Sequence, residues 1–136
     1  MTFPPPEVPK YVLIDTSAWT HALRRKGDAA IRAKVDAEMA AERAAWCQII
    51  RLELYRGANN DWDLELLSFL EANVKPLAIS ADVWDMAIHI NRELRSDGIT
   101  LPVPDTVIHA CGMVHNARIQ HNDKHFDLLQ TRFPIY

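Results

Sequence analysis

The chain has 136 residues, 49% of them hydrophobic, which is enough for one domain with a substantial core and too little for two comfortable ones. A formal charge of −3 and a pI near 6.0 exclude a protein that holds nucleic acid by a blanket basic surface, so any such contact has to be local. No apolar run approaches the roughly 20 residues of a membrane span, and the N-terminus lacks a cationic segment followed by a hydrophobic one, so a soluble cytoplasmic protein is expected.

Residues 1–10 carry Pro4, Pro5, Pro6 and Pro9, which remove backbone donors and predict an extended arm ahead of a single domain over 11–136. Tyr11-Val12-Leu13-Ile14 is apolar on both faces, as a central strand of a parallel sheet requires, and it stops at Asp15. A short helix is predicted from Ser17 to Leu23. Gly27-Asp28 breaks it and caps the next, which runs from Ala29 to Ala45 on the repeat Ile31, Val35, Met39. Trp46-Cys47-Gln48 reads as a short strand before a helix from Ile49 to Ala58. A further helix from Asn60 turns Leu64, Leu67 and Leu70 inward.

Val74 to Ile79 predicts a strand that Pro76 confines to a sheet edge. Ser80 then caps a helix with the apolar stripe Val83, Trp84, Ala87, Ile88 and Leu94, which ends near Gly98. Pro102 and Pro104 flank a loop before Asp105, and Val107, Ile108, Cys111 and Val114 mark a helix from Asp105 to Asn116. Arg118-Ile119-Gln120 is a last strand, followed by His121-Asn122-Asp123 and a short helix through Phe126 and Leu129. Strands alternating with helices at this spacing define an α/β fold, a mostly parallel sheet between helical layers. Sites in that architecture lie beyond the carboxyl ends of the strands, where Asp15 and Asp123 fall. Cys47 and Cys111 form no C-x-x-C pair and read as small buried hydrophobes rather than a disulfide.

Four acids stand out by position. Asp15 follows an apolar strand, Glu53 interrupts the apolar run from Ile49 to Tyr55, Asp105 opens an apolar helix, and Asp123 follows the last strand. Taken singly, Asp15 and Asp105 read equally well as helix caps, Glu53 as the partner of Arg51 or Arg56, and Asp123 as a turn residue. Taken together, they would repel one another by several kcal/mol in one cleft unless cations were present. Oxygen ligands select hard ions, so Mg²⁺ or Mn²⁺ fits and zinc does not. Such ions activate water and stabilise a leaving oxygen in phosphodiester hydrolysis. Asp15, Asp105 and Asp123 are the expected metal ligands, with Glu53 as a further ligand or the group orienting the attacking water. Thr16 and Ser17 can fix the first carboxylate through a hydroxyl.

Val12-Leu13-Ile14-Asp15-Thr16-Ser17-Ala18-Trp19, Leu52-Glu53-Leu54-Tyr55-Arg56-Gly57, Leu101 to Ala110 around Pro104-Asp105-Thr106, and His121-Asn122-Asp123-Lys124-His125-Phe126 resemble the four signature segments of PIN-domain ribonucleases. In style the chain is most similar to the VapC-like toxins of type II toxin-antitoxin pairs, and the resemblance spans about residues 11 to 129. It implies a three-layer α/β/α fold, magnesium- or manganese-dependent endoribonuclease activity on RNA, frequent homodimerisation, and neutralisation by a cognate antitoxin at or beside the acidic cleft. His121 stands where threonine is usual in that family, and His125 where a further acid is frequent.

Other functions read less well. A phosphatase of the haloacid-dehalogenase type needs a second aspartate two residues after the first, where Ser17 stands. A PIN-like module that only binds RNA or a protein would tolerate loss of the acids, and all four are present. The histidines form no H-E-x-x-H pattern, so His121 and His125 are read as supporting Asp123 or facing RNA. Arg24-Arg25-Lys26 reads either as a solvated helix end or as a phosphate grip. The apolar, aromatic helices from Asn60 to Leu70 and from Ser80 to Leu94 read as core faces or as an interface.

Overall fold

The computed structural model describes residues 2–4 and 11–136, so the proline-rich arm lies outside the described residues except for 2–4. Four short parallel strands, β1 (Val12–Ile14), β2 (Ala44–Trp46), β3 (Lys75–Pro76) and β4 (Arg118–Gln120), form one sheet in the order β3-β2-β1-β4. The helices are α1 (Thr16–Leu23), α2 (Ala29–Ala40), α3 (Gln48–Arg56), α4 (Asp61–Asn73), α5 (Ala81–Ser96), α6 (Val103–His115) and α7 (Lys124–Arg132). Inner strand β1 pairs with β2 through Val12–Ala44 and Leu13–Ala45, and with β4 through Val12–Arg118, Leu13–Ile119 and Ile14–Gln120. All three β1 side chains are buried, as their two-sided apolar character requires. Among the described residues, no helix is long and apolar enough to cross a membrane.

Helix α2 ends at Ala40, short of the predicted Ala45, and the strand starts at Ala44 rather than at Trp46. Alanine favours helix only when nothing else claims it. Here Ala44 and Ala45 are drawn into the sheet beside β1, where small side chains fit a fully buried position. Glu42, in the left-handed region at φ 58°, turns the chain between the two elements. Cys47 consequently stands at the head of α3 instead of inside a strand.

Helix α6 also starts earlier than expected, at Val103. Pro104 lies in its first turn, where a missing N–H costs nothing, and Asp105 follows within the same turn. The buried stripe of α5 is Val83, Ala87, Ile90 and Leu94. Trp84 and Ile88, assigned to that stripe by sequence, are 48% and 59% exposed. Each lies one residue, about 100°, round the helix from the buried line. Leu64 and Val114 are likewise exposed, at 46% and 38%.

Polar contacts tie α2 to the sheet and α3 to α6. Glu38 of α2, 5% exposed, pairs with Arg43 at 2.8 Å and with Arg118 of β4 at 2.6 Å, so its buried charge is compensated on two sides. Free, buried Cys47 and Cys111 meet side by side in the core although distant in sequence. The hydrogen bond between them lowers the pKa of Cys47 and raises that of Cys111.

Candidate active site

Asp15 is delivered by the end of β1 to the head of α1. It is 6% exposed, and its Oδ2 accepts from the Ser17 N–H at 3.0 Å and the Ser17 hydroxyl at 2.7 Å. The Ser17 Oγ in turn accepts from the Asn122 N–H at 2.9 Å, and the Asp15 N–H donates to the Gln120 carbonyl at 2.9 Å. The ends of β1 and β4 are thereby joined, which brings Asp123, at the head of α7, toward Asp15. Asp123 Oδ1 accepts from the His125 N–H at 3.0 Å. Both aspartates do cap helices, so the bland sequence reading holds alongside the functional one.

Asp105 arrives from the first turn of α6. His125 Nδ1 lies 2.9 Å from Asp105 Oδ2 and 3.4 Å from Asp123 Oδ1. One potential ligand atom from each of these three residues lies within 4.8 Å of the other two. Glu53 projects from α3. Its buried Oε1 and the buried Thr16 Oγ1 have no hydrogen-bond partner of good geometry among the described residues. Burial raises the pKa of Glu53, and the charges of Asp15 and Asp105 push it the same way. Burial also raises that of Asp105, with Asp123 and Asp15 adding to the effect against the opposing bond from His125. Glu53 thus feels the charges of Asp15 and Asp105, and Asp105 those of Asp123 and Asp15.

His121 and His125 separate in role. The Nδ1 of His121 accepts from the Asp123 N–H at 3.2 Å, and its ring packs on Phe126 with centroids 5.2 Å apart, so it shapes the turn that presents Asp123. His125 instead offers a nitrogen within the acidic cluster, which amends the all-oxygen donor set expected from sequence. Its position two residues after Asp123, on the same helical turn, is the signal that could have identified it. Asp105, Asp123 and His125 together fit a hard divalent cation that tolerates a nitrogen donor, and Asp15, outside that group of three, acts on Asp105 through its charge. Beside Glu53, a cavity of about 300 Å³ is lined by Thr16, Thr20, Arg24, Asn59 and Asp63. Arg24 therefore borders the cleft, while Arg25 and Lys26 are exposed on the loop that follows.

A parallel sheet carrying acids at its strand ends, covered by helices that add two more, is the arrangement of one nuclease class, and the PIN domain family profile matches residues 12–130. The chain belongs to the PIN domain family. It is 33% identical over 121 residues to the VapC ribonuclease Mb1587 of Mycobacterium bovis, a match covering 87% of this chain and 90% of the relative. Ribonuclease VapC18 of Mycobacterium tuberculosis is 26% identical over 118 residues, 84% of this chain and 83% of its own length. The fold is shared with the structure of VapBC2 from Rickettsia felis bound to a promoter DNA fragment, at a TM-score of 0.69 and 15% identity over 87% of this chain and 92% of that one. It is also shared with VapBC-5 of Mycobacterium tuberculosis, a member of the VapBC toxin-antitoxin family, at a TM-score of 0.64 and 19% identity over 89% and 91% of the two chains.

Proposed function

We propose that this protein is a metal-dependent endoribonuclease acting as the toxin of a VapBC-type toxin-antitoxin pair, working in the cytoplasm on RNA. The observation that supports this reading is the meeting of Asp105, Asp123 and His125 within 4.8 Å, with the charges of Asp15 and Glu53 coupled to that group and the pKa values of Glu53 and Asp105 raised by burial and repulsion. Such crowding is unfavourable in isolation and becomes favourable around a cation. Asp15, Asp105 and Asp123, with the His125 imidazole, would hold Mg²⁺ or Mn²⁺. The bound ion would supply charge stabilisation to a phosphoryl oxygen and lower the pKa of water.

The residues of the chain do the rest. Ser17 orients Asp15 by donating twice to Oδ2. Glu53, its Oε1 buried beside the Thr16 hydroxyl, orients the attacking water and takes its proton, for which a raised pKa is an advantage. Thr16 lies beside Glu53 and can add a hydrogen bond to the same water. Arg24, bordering the cavity beside Glu53, and the exposed Arg25 and Lys26 of the same loop grip phosphates of the RNA. A cognate antitoxin is the expected partner, and the exposed Trp84 and Ile88 on α5 offer an apolar face for a homodimer.

The test is to incubate purified protein with structured cellular RNA in Mn²⁺ or Mg²⁺, with chelator, and with Asp105→Asn. Cleavage that requires the cation and is abolished in the variant is expected. Equal behaviour in all arms would leave a PIN-like module that binds without cutting. Growth arrest on expression, relieved by Asp123→Ala, tests the toxin role separately.

A further inference from the structure

The imidazole of His21 joins two parts of the molecule that the proposed chemistry uses separately. It sits in the last turn of α1, half-buried, with both ring nitrogens engaged. Nδ1 accepts from the backbone N–H of Asp28 at 3.0 Å. Nε2 lies 3.2 Å from the Asn122 amide nitrogen, Nδ2. A backbone N–H can only donate, so Nδ1 is bare. The neutral ring then carries its proton on Nε2, which donates to Asn122 once that amide is turned to present its oxygen in place of Nδ2. Asn122 also gives its backbone N–H to Ser17 Oγ at 2.9 Å, and that hydroxyl holds Asp15 at 2.7 Å. With the Asn122 amide so turned, a hydrogen-bonded path runs from the first carboxylate of the cleft, through Ser17, Asn122 and His21, to the backbone at Asp28.

At the far end of the path the loop over 24–28 is built, not loose. Arg32 donates to the carbonyls of His21 and Arg24, the Gly27 N–H donates to the Arg24 carbonyl at 3.1 Å, and Asp28 caps α2 through the Ala30 and Ile31 N–H groups. Gly27 lies so close over α1 that a Cβ there would fall 1.8 Å from the His21 carbonyl oxygen. This loop carries Arg24, which lines the cavity next to Glu53, and the exposed cations Arg25 and Lys26.

We propose that His21 is a positioning residue that couples the cationic loop at 24–26 to the carboxylate end of the sheet, so that phosphate grip and acidic cleft share one fixed register on an RNA strand. The inference rests on the ribonuclease reading above. It adds a residue that touches neither RNA nor metal and yet sets where the strand is held. Both ring nitrogens take part, Nδ1 holding the Asp28 backbone and Nε2 facing Asn122.

Three substitutions separate this role from simple loop folding. His21→Ala removes both bonds. His21→Asn keeps an oxygen able to accept from Asp28 but cannot reach Asn122, and His21→Gln keeps the reach to Asn122 but not the acceptor for Asp28. The probe is a fluorescein-labelled, mixed-sequence single-stranded RNA 20-mer, with binding read by anisotropy in Ca²⁺ across a salt titration. Only variants with wild-type far-UV circular dichroism are compared. All three are expected to bind about 5- to 10-fold more weakly, with a salt slope reduced by about 0.7 for each phosphate that the loop no longer grips. Arg25→Ala together with Lys26→Ala should reproduce that change. Wild-type affinity and salt slope in His21→Asn would overturn the coupling role, because the residue would then serve only to seat the Asp28 backbone. Wild-type protein that neither binds nor cleaves RNA would overturn the ribonuclease reading itself, and this inference with it.

Discussion

His125 Nδ1 stands 2.9 Å from Asp105 Oδ2, a contact that brings the first turn of α7 onto the first turn of α6 across twenty residues of sequence. A carboxylate accepts, so in this arrangement the imidazole donates its Nδ1 proton. The same atom is 3.4 Å from Asp123 Oδ1, which gives the ring the choice of bracing two carboxylates or turning its nitrogen to a cation between them. His125→Ala is therefore expected to weaken Mn²⁺ binding about 10-fold and Mg²⁺ binding less, because manganese accepts nitrogen donors more readily. Isothermal titration with each ion checks this, and equal affinities in variant and wild type would make the ring a bystander.

Removing charge from the cleft should stabilise the metal-free protein. Glu53 and Asp105 have pKa values raised in the folded state above their ordinary 4.5 and 3.8. Above its ordinary value the unfolded carboxyl has already lost its proton while the folded one retains it, so stability falls as pH rises through that window. Once both states are ionised the penalty persists at neutral pH. Glu53→Gln and Asp105→Asn are each expected to raise the neutral-pH Tm by about 2–4 °C, the shift of roughly 1 kcal/mol in a domain of this size, while cleavage falls at least about 100-fold. A lower Tm in both variants would show that the charges are already compensated.

Cation binding should appear as thermal protection before any activity is measured. At a hundred times its dissociation constant, Mn²⁺ stabilises the native state by about 2.7 kcal/mol if the unfolded chain does not bind it. Differential scanning calorimetry should show a rise of about 8 °C in the wild type. Asp105→Asn, which lacks a shared carboxylate, should show almost none.

The seat of α6 on the sheet rests on Gly112. A Cβ at that position would lie 2.6 Å from both the Ala117 carbonyl oxygen and Ile119 Cδ1, and 3.0 Å from Ile135 Cδ1. Gly112→Ala is expected to cost about 1–3 kcal/mol by overpacking, and, because α6 carries Asp105, to weaken Mn²⁺ binding as well. Chemical denaturation with parallel metal titration tests both effects. Reduced stability with unchanged metal affinity would show that the first turn of α6 is held independently of its middle.

The strand ends and their acids are legible because they are local: an apolar run stopping at Asp15, and a carboxylate at position 53 in an otherwise apolar helical stretch, carry their meaning within a few residues. Asp105 and Asp123 meet at His125, while Asp15 and Glu53 join them only through the charge they exert on Asp105 and on each other. The start of β2 is not legible, since Ala44 and Ala45 have helical propensity and only pairing with Val12 and Leu13 makes them strand. Trp84 and Ile88 are misplaced by sequence because an apolar stripe read without its partner helix has an uncertain rotation, and one residue is enough to turn a side chain out to solvent. His125 and Asn122 are underread for a related reason: each owes its role to a residue at least twenty positions away, Asp105 for the first and His21 and Ser17 for the second.

At the β3 edge, the sheet ends in a two-residue strand of lysine and proline, both exposed. A proline offers no N–H to an incoming strand, and a lysine beside it discourages an apolar one. Chains of this protein crowded together have no ready template there for growing sheet upon sheet. Any companion on that flank has to be chosen by the shape and chemistry of side chains, which is a more discriminating basis for partnership than backbone pairing.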